Sequence, residues 1–169
     1  MKIFHVIGQP GSGKTTLVAD IVRALCSKDI KVGTIKHSAH AHELDKPGKD
    51  SFLHRTAGAA PAAMMTRDMA AVYLPRSPDM TPATLIERYY THLDIVLIEG
   101  WISGPYDKIE VWRECVRRPC LFPGISTVKA LVIDGCLEMQ MLSQADAEKI
   151  TCLARNPLTN IIDFILGAR

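Results

Sequence analysis

The sequence lacks the features typical of membrane, secreted and nucleic-acid-binding proteins. No run approaches the ~18 apolar residues of a membrane span, and no apolar segment of the signal-peptide type follows Met1. The five cysteines are odd in number and contain no C-x-x-C pair, which argues against a disulfide framework. A net charge of +2 with interspersed signs gives no basic stripe that would follow nucleic acid. These absences predict a cytoplasmic protein with buried thiols that binds neither nucleic acid nor membrane.

Domain boundaries are also missing from the sequence. It has no internal repeat, no low-complexity tract and no linker rich in Pro, Gly or Ser. A chain of 169 residues can bury about two thirds of its unfolded surface without disulfides or metal ions. We therefore expect residues 1–169 to form a single domain.

The most informative segment is Gly8-Gln9-Pro10-Gly11-Ser12-Gly13-Lys14-Thr15, which satisfies every fixed position of the phosphate-binding pattern G-x-x-x-x-G-K-[ST]. Residues 2–7 before it are largely apolar and β-branched, as in a central parallel strand. Apolar residues at helical spacing follow it between Leu17 and Leu25. This strand, loop and helix predict a nucleotide-binding domain of the P-loop type.

The chemistry of phosphate binding explains the residue types in this loop. Glycines permit backbone conformations that turn successive N–H groups towards phosphate oxygens, and the start of the helix adds its positive dipole end. Lys14 is expected to place a positive charge on the outer phosphates, and Thr15 to hold Mg²⁺ through its hydroxyl. Gly8, Gly11 and Gly13 are the glycines of this site.

Strand and helix patterns alternate along the rest of the chain. Strands are predicted at residues 30–36, 94–99, 108–112 and 129–133, a hairpin at 62–74, and helix starts at Thr81 and Ser143. This alternation predicts an α/β fold of the P-loop NTPase type, with a mostly parallel sheet, helices on both faces and an edge β-hairpin. Met64, Met65 and Met69 are expected to pack on the hairpin, and His5 to be a hydrogen-bonded core histidine.

Further site residues are predicted where strands end, because ligands of such sheets bind beyond the carboxyl ends of the strands. Glu99 ends an apolar run and is assigned, with Lys14, to catalysis and, with Thr15, to the metal. Lys36 and His37 end the second strand and are assigned to phosphate or ligand contact. Asp45, in the polar loop that follows, is assigned to the Mg²⁺ shell. Two alternatives stay open there, a zinc site formed by the histidines of residues 37–42 and helix capping by Asp50 or Ser51.

Several of these segments together resemble the molybdopterin-guanine dinucleotide biosynthesis protein B family. They are the phosphate-binding loop, Thr34-Ile35-Lys36-His37 with His40, Asp45, Pro47-Gly48-Lys49-Asp50-Ser51, Arg55, Ala57-Gly58-Ala59, Asp94-Ile95-Val96-Leu97-Ile98-Glu99-Gly100 and Lys108-Ile109-Glu110-Val111. The likeness covers roughly the first 113 residues in matching order and is weaker beyond them. The family usually has an aromatic residue and then a lysine after Glu-Gly; this chain has the aromatic Trp101 but Ile102 in place of the lysine.

The resemblance implies a GTP-binding accessory protein with slow GTPase activity, often a homodimer. Its expected partner is the molybdenum cofactor guanylyltransferase that attaches GMP to the molybdenum-pterin cofactor, and a molybdopterin-type cofactor is a further expected ligand. It also implies phosphate and Mg²⁺ contacts by Thr16. The full set of predicted nucleotide-binding residues is Gly8, Gly11, Ser12, Gly13, Lys14, Thr15, Thr16, Lys36, His37 and Asp45, with GTP and Mg²⁺ as cofactors.

The residues alone leave other functions open. The chain has no Asn-Lys-x-Asp motif, through which many GTPases bind guanine. A P-loop small-molecule kinase that uses ATP is the main alternative, and Arg113, Arg117 and Arg118 are the cluster available for its arginine-bearing lid. A module that binds nucleotide without phosphate release is the third. No arginine is clearly placed by the sequence to assist hydrolysis, so intrinsic turnover is expected to be slow.

Overall fold

The computed structural model describes residues 1–167, which contain eight strands and five α-helices. The strands are β1 (Lys2–Ile7), β2 (Val32–Lys36), β3 (Ala62–Met65), β4 (Ala70–Tyr73), β5 (Ile95–Glu99), β6 (Lys108–Arg113), β7 (Val128–Asp134) and β8 (Thr151–Ala154). The helices are α1 (Lys14–Cys26), α2 (Asp50–Thr56), α3 (Pro82–Tyr89), α4 (Met139–Ala147) and α5 (Thr159–Leu166). Two short 3₁₀ turns span Glu114–Val116 and Phe122–Gly124. None of the helices in this part of the chain is long and apolar enough to cross a membrane.

The chain divides into two compact units. The first consists of Met1–Ser38 and the described residues from Ile86 onward, and the second is Ala39–Leu85. The first unit contains a six-stranded sheet in the order β2-β5-β1-β6-β7-β8, in which every pairing is parallel. The predicted α/β fold with a parallel sheet is thereby confirmed.

Helices cover both faces of this sheet. Successive residues of a strand point to opposite faces, so Val6 and Ile7 belong to different clusters. Val6 packs with residues of α1 and α5, such as Leu17 and Ile161. Ile7 packs with Phe122 of the second 3₁₀ turn and with residues of α4 and β7. Burial on both faces explains why the central strands are continuous apolar runs.

The second unit holds α2, β3, β4 and the first half of α3. β3 and β4 form the predicted hairpin, an antiparallel sheet of two strands with Ala62 opposite Tyr73. The expectation that methionines pack on this hairpin is wrong, because Met65 and Met69 are 81% and 72% exposed and Met64 is half exposed. A ladder of four residues per strand offers such long side chains little apolar surface.

Other local predictions also differ from the structure. α4 begins at Met139, four residues before the helix start predicted at Ser143, and β8 was not predicted at all. At the start of α2, Lys49 occupies the N-cap position and no side chain caps the helix, so the capping role considered for Asp50 and Ser51 is wrong. The Ser143 pattern lies inside α4 instead of at its start, and β8 is only four residues long.

Candidate nucleotide-binding site

The loop between β1 and α1 has the backbone that phosphate binding needs. Gly8, Gly11 and Gly13 have φ angles of 147°, 82° and 89°, which residues with a Cβ rarely adopt. A Cβ on Gly8 would also lie 2.4 Å from the carbonyl oxygen of Val111 on the neighbouring strand. The close approach of β6 and the loop conformation therefore both require glycine.

Two side chains of the loop fit an anionic ligand. The Ser12 hydroxyl is buried and has no hydrogen-bond partner among residues 1–167. The Lys14 ammonium donates hydrogen bonds to the carbonyl oxygens of Gly8 and Gln9, at 2.9 Å each. Desolvation lowers the pKa of Lys14, the Glu99 carboxylate opposes this shift, and the Lys36 ammonium adds to it. A bound phosphate would give this partly buried ammonium and the unpaired hydroxyl a common partner.

Thr15, Glu99 and Lys36 meet at the carboxyl ends of β5 and β2. The Thr15 hydroxyl donates to Glu99 Oε1 at 2.7 Å. The Lys36 ammonium forms an ion pair with the same carboxylate oxygen and lies 3.5 Å from Thr15 Oγ1. Lys36 stands opposite Glu99 in the β2–β5 register, which places the two side chains on one face. Glu99 is buried, whereas the Lys36 side chain is 62% exposed.

These oxygen donors fit a magnesium ion. Hydroxyl and carboxylate oxygens are the ligands that Mg²⁺ prefers, and the ion keeps several waters and phosphate oxygens in its shell. A dedicated zinc site is not supported, since no group of three or more His, Cys, Asp or Glu side chains in residues 1–167 is placed to hold a metal ion. Thr15 and Glu99 are thus the candidate Mg²⁺ ligands, with the nucleotide supplying further oxygens.

His37 belongs to an aromatic stack beside this site. Its ring stacks on Trp101 with centroids 5.4 Å apart, and Trp101 contacts the His5 ring edge-on at 5.5 Å. His37 lies next to the Glu-Gly turn, where its backbone N–H donates a hydrogen bond to the carbonyl oxygen of Glu99 at 2.8 Å. The predicted ligand contact of His37 remains a prediction.

His5 is the buried end of the stack. The ring has no solvent exposure, and neither of its nitrogens has a hydrogen-bond partner within residues 1–167. The expectation of a core histidine is therefore right, but that of a hydrogen-bonded one is wrong. Burial lowers the pKa of His5 to about 4, and the nearby Lys108 ammonium contributes to this shift.

Asp45 lies in the second unit, within a polar cluster of its own. Its Oδ1 accepts hydrogen bonds from the Ser51 hydroxyl at 3.1 Å and the Lys46 N–H at 2.8 Å, and its Oδ2 lies 3.5 Å from Arg55 Nη1. Burial raises the pKa of Asp45, but these hydrogen bonds outweigh it and the net pKa is lowered. The Arg55 guanidinium also lies 5.0 Å over the ring of Tyr73. The role of Asp45 in a Mg²⁺ shell stays a prediction.

The family of this chain follows from sequence comparison. The sequence profile of the family described as molybdopterin guanine dinucleotide synthesis protein B, MobB, matches residues 3–134. This match covers the phosphate-binding loop, Glu99 and the strands that carry them. The chain belongs to the MobB family. The resemblance stated from the motifs is thereby confirmed, and it extends about twenty residues beyond the first 113.

Curated relatives carry the family's adapter name. The chain is 32% identical to the molybdopterin-guanine dinucleotide biosynthesis adapter protein of Haemophilus influenzae over 96% of its own length and 86% of that protein. It is 37% identical to the Escherichia coli protein of the same name over 62% of its own length. That match covers 61% of the Escherichia coli protein, which is less than two thirds of it.

Solved structures with this fold include MobB proteins. The crystal structure of Bacillus subtilis MobB superposes with a TM-score of 0.73 and 24% identity, covering 99% of this chain and 98% of that one. Hydrogenase maturation factor HypB from Archaeoglobus fulgidus superposes with a TM-score of 0.56 and 16% identity, covering 98% and 88%. These likenesses concern the fold and confirm the predicted P-loop NTPase class.

One residue near the loop is absent from the predicted nucleotide-binding residues and was considered only for the lid of the kinase alternative. Arg113 ends β6, and its guanidinium lies beside Gly13: a Cβ on that glycine would be 3.5 Å from Arg113 Nη2. The sequence presents Arg113 only as one of three clustered arginines, and the order of the strands is what brings it to the loop. Arg117 and Arg118 are exposed.

Proposed function

We propose that this MobB-family protein binds GTP and Mg²⁺ in the loop of residues 8–15, hydrolyses GTP slowly and acts as an accessory protein of molybdopterin guanine dinucleotide biosynthesis. The observation that carries the proposal is the 2.7 Å contact between Thr15 and Glu99 beside the glycine loop. Phosphoryl transfer depends mainly on positioning the reacting groups and on neutralising the charge of the phosphates. A lysine, a threonine and a glutamate, as at Lys14, Thr15 and Glu99, are residues that can supply both.

Each residue of the site has a defined task in this proposal. The loop N–H groups and the Lys14 ammonium bind the phosphates, and Lys14 exchanges its contacts with the loop carbonyls for phosphate oxygens. Thr15 and Glu99 would hold Mg²⁺, which would neutralise charge on the outer phosphates. The Lys36 side chain, which is 62% exposed, would move off Glu99 when the metal binds, and the cation would then compensate the charge of this buried carboxylate.

Thermal unfolding with ligands tests nucleotide binding. GTP with Mg²⁺ at 100-fold its dissociation constant stabilises a protein by about 2.7 kcal/mol, so the melting temperature should rise clearly. Lys14→Ala should abolish this rise, whereas Lys28→Ala, which changes an exposed lysine after the same helix, should keep it. An unchanged rise in Lys14→Ala would overturn the assignment of this loop.

The choice of GTP rests on family membership, so base preference needs its own titration. GTP, GDP, ATP and ADP with Mg²⁺ are compared by the same thermal shift. A rise of the melting temperature with GTP and GDP at concentrations where ATP and ADP have no effect supports the proposal. Equal effects of the two bases contradict the guanine preference.

A P-loop kinase that uses ATP is the second candidate, favoured by Arg113 beside the loop, because kinases of this fold commonly cover the phosphates with arginines. Incubation with ATP and a metabolite panel separates the two functions. Stoichiometric phosphorylation of an acceptor would reject the GTPase proposal, and slow release of inorganic phosphate from GTP with no acceptor supports it.

The partner is proposed to be the guanylyltransferase that attaches GMP to the molybdenum-pterin cofactor, with a molybdopterin-type cofactor as a further ligand. The adapter name of the relatives supports this. Retention of purified guanylyltransferase on the immobilised protein, with and without GTP, tests the contact. Failure of retention under both conditions contradicts the partner assignment.

A homodimer is proposed from the hairpin. Each strand of the β3–β4 ladder has one edge that no other strand of residues 1–167 covers, and such edges pair readily with other chains. Sedimentation at micromolar concentration, with and without nucleotide, should give the dimer mass. A monomer under both conditions contradicts this proposal.

A further inference from the structure

Arg113 reaches the phosphate-binding loop from the strand next to β1. β6 pairs with β1 in parallel, with Glu110 opposite Ile7, so β6 ends just beyond the strand that leads into the loop. A Cβ on Gly13 would lie 3.5, 3.6 and 3.9 Å from Nη2, Cζ and Nη1 of Arg113. The guanidinium therefore packs on the backbone that directly precedes Lys14.

The guanidinium is held in place by the next strand. Arg113 Nε donates to Asp134 Oδ2 at 2.7 Å, and the two residues are opposite each other in the β6–β7 register. A second link follows, because Glu114 Oε2 accepts a hydrogen bond from the Cys136 N–H at 3.0 Å. The ends of β6 and β7 are thus joined twice. The Arg113–Asp134 bond uses Nε and leaves the N–H groups of Nη1 and Nη2 for a further acceptor.

The strand order puts Arg113 and Glu99 on opposite sides of the loop. β5, which ends at Glu99, pairs with one edge of β1, and β6, which ends at Arg113, pairs with the other. The Thr15 and Glu99 side offers oxygens to a cation. The Arg113 side offers a planar fork of N–H donors, which matches phosphate oxygens better than an ammonium does.

We propose that Arg113 donates hydrogen bonds to phosphate oxygens of the nucleotide bound at residues 8–15, and that Asp134 is the positioning residue that orients its guanidinium. This inference rests on the proposed nucleotide binding and adds a cationic contact supplied by the protein's own chain. The Arg113–Asp134 pair is about two thirds buried. Because the tertiary structure fixes the guanidinium before the ligand arrives, little side-chain entropy is lost on binding.

The test measures equilibrium binding of N-methylanthraniloyl-labelled GTP and ATP by fluorescence, with melting of the ligand-free variants as a check on folding. Arg113→Ala should weaken binding by roughly 10- to 100-fold, the range expected for a hydrogen bond to a charged group. Arg113→Lys, which keeps the charge and loses the fork, should fall between Arg113→Ala and wild type. Arg88→Ala is the matched control, since this exposed arginine of α3 has no role in the proposed site. It should stay within about twofold of wild type.

Asp134 is tested through its coupling to Arg113. Asp134→Asn should weaken binding by several-fold, and the double variant Arg113→Ala/Asp134→Asn should bind no worse than Arg113→Ala, because Asp134 acts through the guanidinium. A purely structural effect of Asp134 would instead add to that of Arg113→Ala, and would overturn the positioning role. Arg113→Lys and Asp134→Asn keep the test decisive if Arg113→Ala does not fold.

The remaining outcomes separate this inference from the proposed function. If the wild type binds nucleotide and Arg113→Ala binds it as tightly as Arg88→Ala does, the inference is overturned and nucleotide binding stays intact. The two labelled nucleotides are compared at concentrations that occupy the wild type equally. If Arg113→Ala weakens the binding of labelled GTP but not of labelled ATP, the phosphate assignment is overturned in favour of a base contact. Absence of any binding by the wild type overturns the proposed function and this inference with it.

Discussion

The Thr15 hydroxyl donates a 2.7 Å hydrogen bond to Oε1 of Glu99, which lies 84 positions later in the chain. The contact joins the first turn of α1 to the end of β5 and leaves both oxygens in one small volume beside the glycine loop. It is the geometric basis of the proposed Mg²⁺ site, because a hydroxyl and a carboxylate this close are able to share one cation directly or through its water.

Removing the negative charge of Glu99 should separate metal binding from phosphate binding. Glu99→Gln keeps the shape of the side chain, so we expect GDP affinity without Mg²⁺ to change by less than threefold, while the increase in GTP affinity on adding Mg²⁺ is lost. Glu87→Gln, an exposed position of α3, is the control. Calorimetric titration with and without Mg²⁺ measures both quantities. An undiminished Mg²⁺ effect in Glu99→Gln would contradict the assignment.

Lys36 should compete with the metal for Glu99. Its ammonium pairs with the carboxylate oxygen that also contacts Thr15, so a divalent cation must displace it. Lys36→Met should therefore lower the Mg²⁺ concentration needed for half-maximal binding of GTP by about 2- to 5-fold, a change of about 0.4–1 kcal/mol, because the Lys36 side chain is largely exposed and solvent screens its ion pair. Lys31 is an exposed lysine just before β2, and Lys31→Met should leave this Mg²⁺ concentration unchanged.

The sequence predicts another role for Lys36, which the same titration tests. If the ammonium contacts phosphate, Lys36→Met will weaken GDP binding in the absence of Mg²⁺. Competition with the metal predicts no such loss. The Mg²⁺-free measurement therefore decides between the two roles.

His5 should make stability depend on pH below neutrality. Burial lowers its pKa from 6.5 to about 4, so between these values the unfolded chain binds a proton that the folded protein does not. The stabilisation by neutral His5 is complete above pH 6.5 and is lost as pH falls from 6.5 towards 4, at a rate of at most about 1.4 kcal/mol per pH unit.

His5→Leu isolates this contribution. The variant removes the titrating group and both unpartnered nitrogens, so the free energy of unfolding should fall less between pH 6.5 and 4.5 than in wild type. Urea unfolding at several pH values gives the free energy of unfolding of both proteins. In the difference between the two, the contributions of the other five histidines cancel. Identical pH profiles would show that His5 does not change its pKa on folding.

Lys108 should be a strong determinant of stability. Its ammonium is almost fully buried and donates to the carbonyl oxygens of Gly104 and Tyr106, at 2.6 and 3.1 Å, and to the Thr127 hydroxyl at 2.6 Å. Lys108→Met leaves these three acceptors without their donor and should lower the free energy of unfolding by about 2–5 kcal/mol.

Lys129→Met provides the comparison for Lys108. Lys129 is exposed on the neighbouring strand β7, and its substitution should change stability by no more than about 0.5 kcal/mol. Urea unfolding of both variants at pH 7 measures the difference. Equal stability of the two would contradict a structural role for the buried ammonium.

The sequence by itself determined the phosphate-binding loop, the succession of the main strands along the chain and the family. These features are local or periodic: three glycines with positive φ, the lysine that follows them, and apolar runs that both faces of a parallel sheet require. The end of an apolar strand also marked Glu99 as a site residue, because parallel strands end at one edge of the sheet.

Only the tertiary structure decided which strand ends meet. The sheet order places β6 against β1, and this non-local pairing brings Arg113 to Gly13 and Asp134 to Arg113. The burial of His5 without hydrogen-bond partners in residues 1–167 likewise depends on packing between distant segments, since its ring contacts Trp101 and Tyr106. Such contacts leave no periodic signal in a single sequence, since each is made by one residue whose neighbours along the chain face elsewhere.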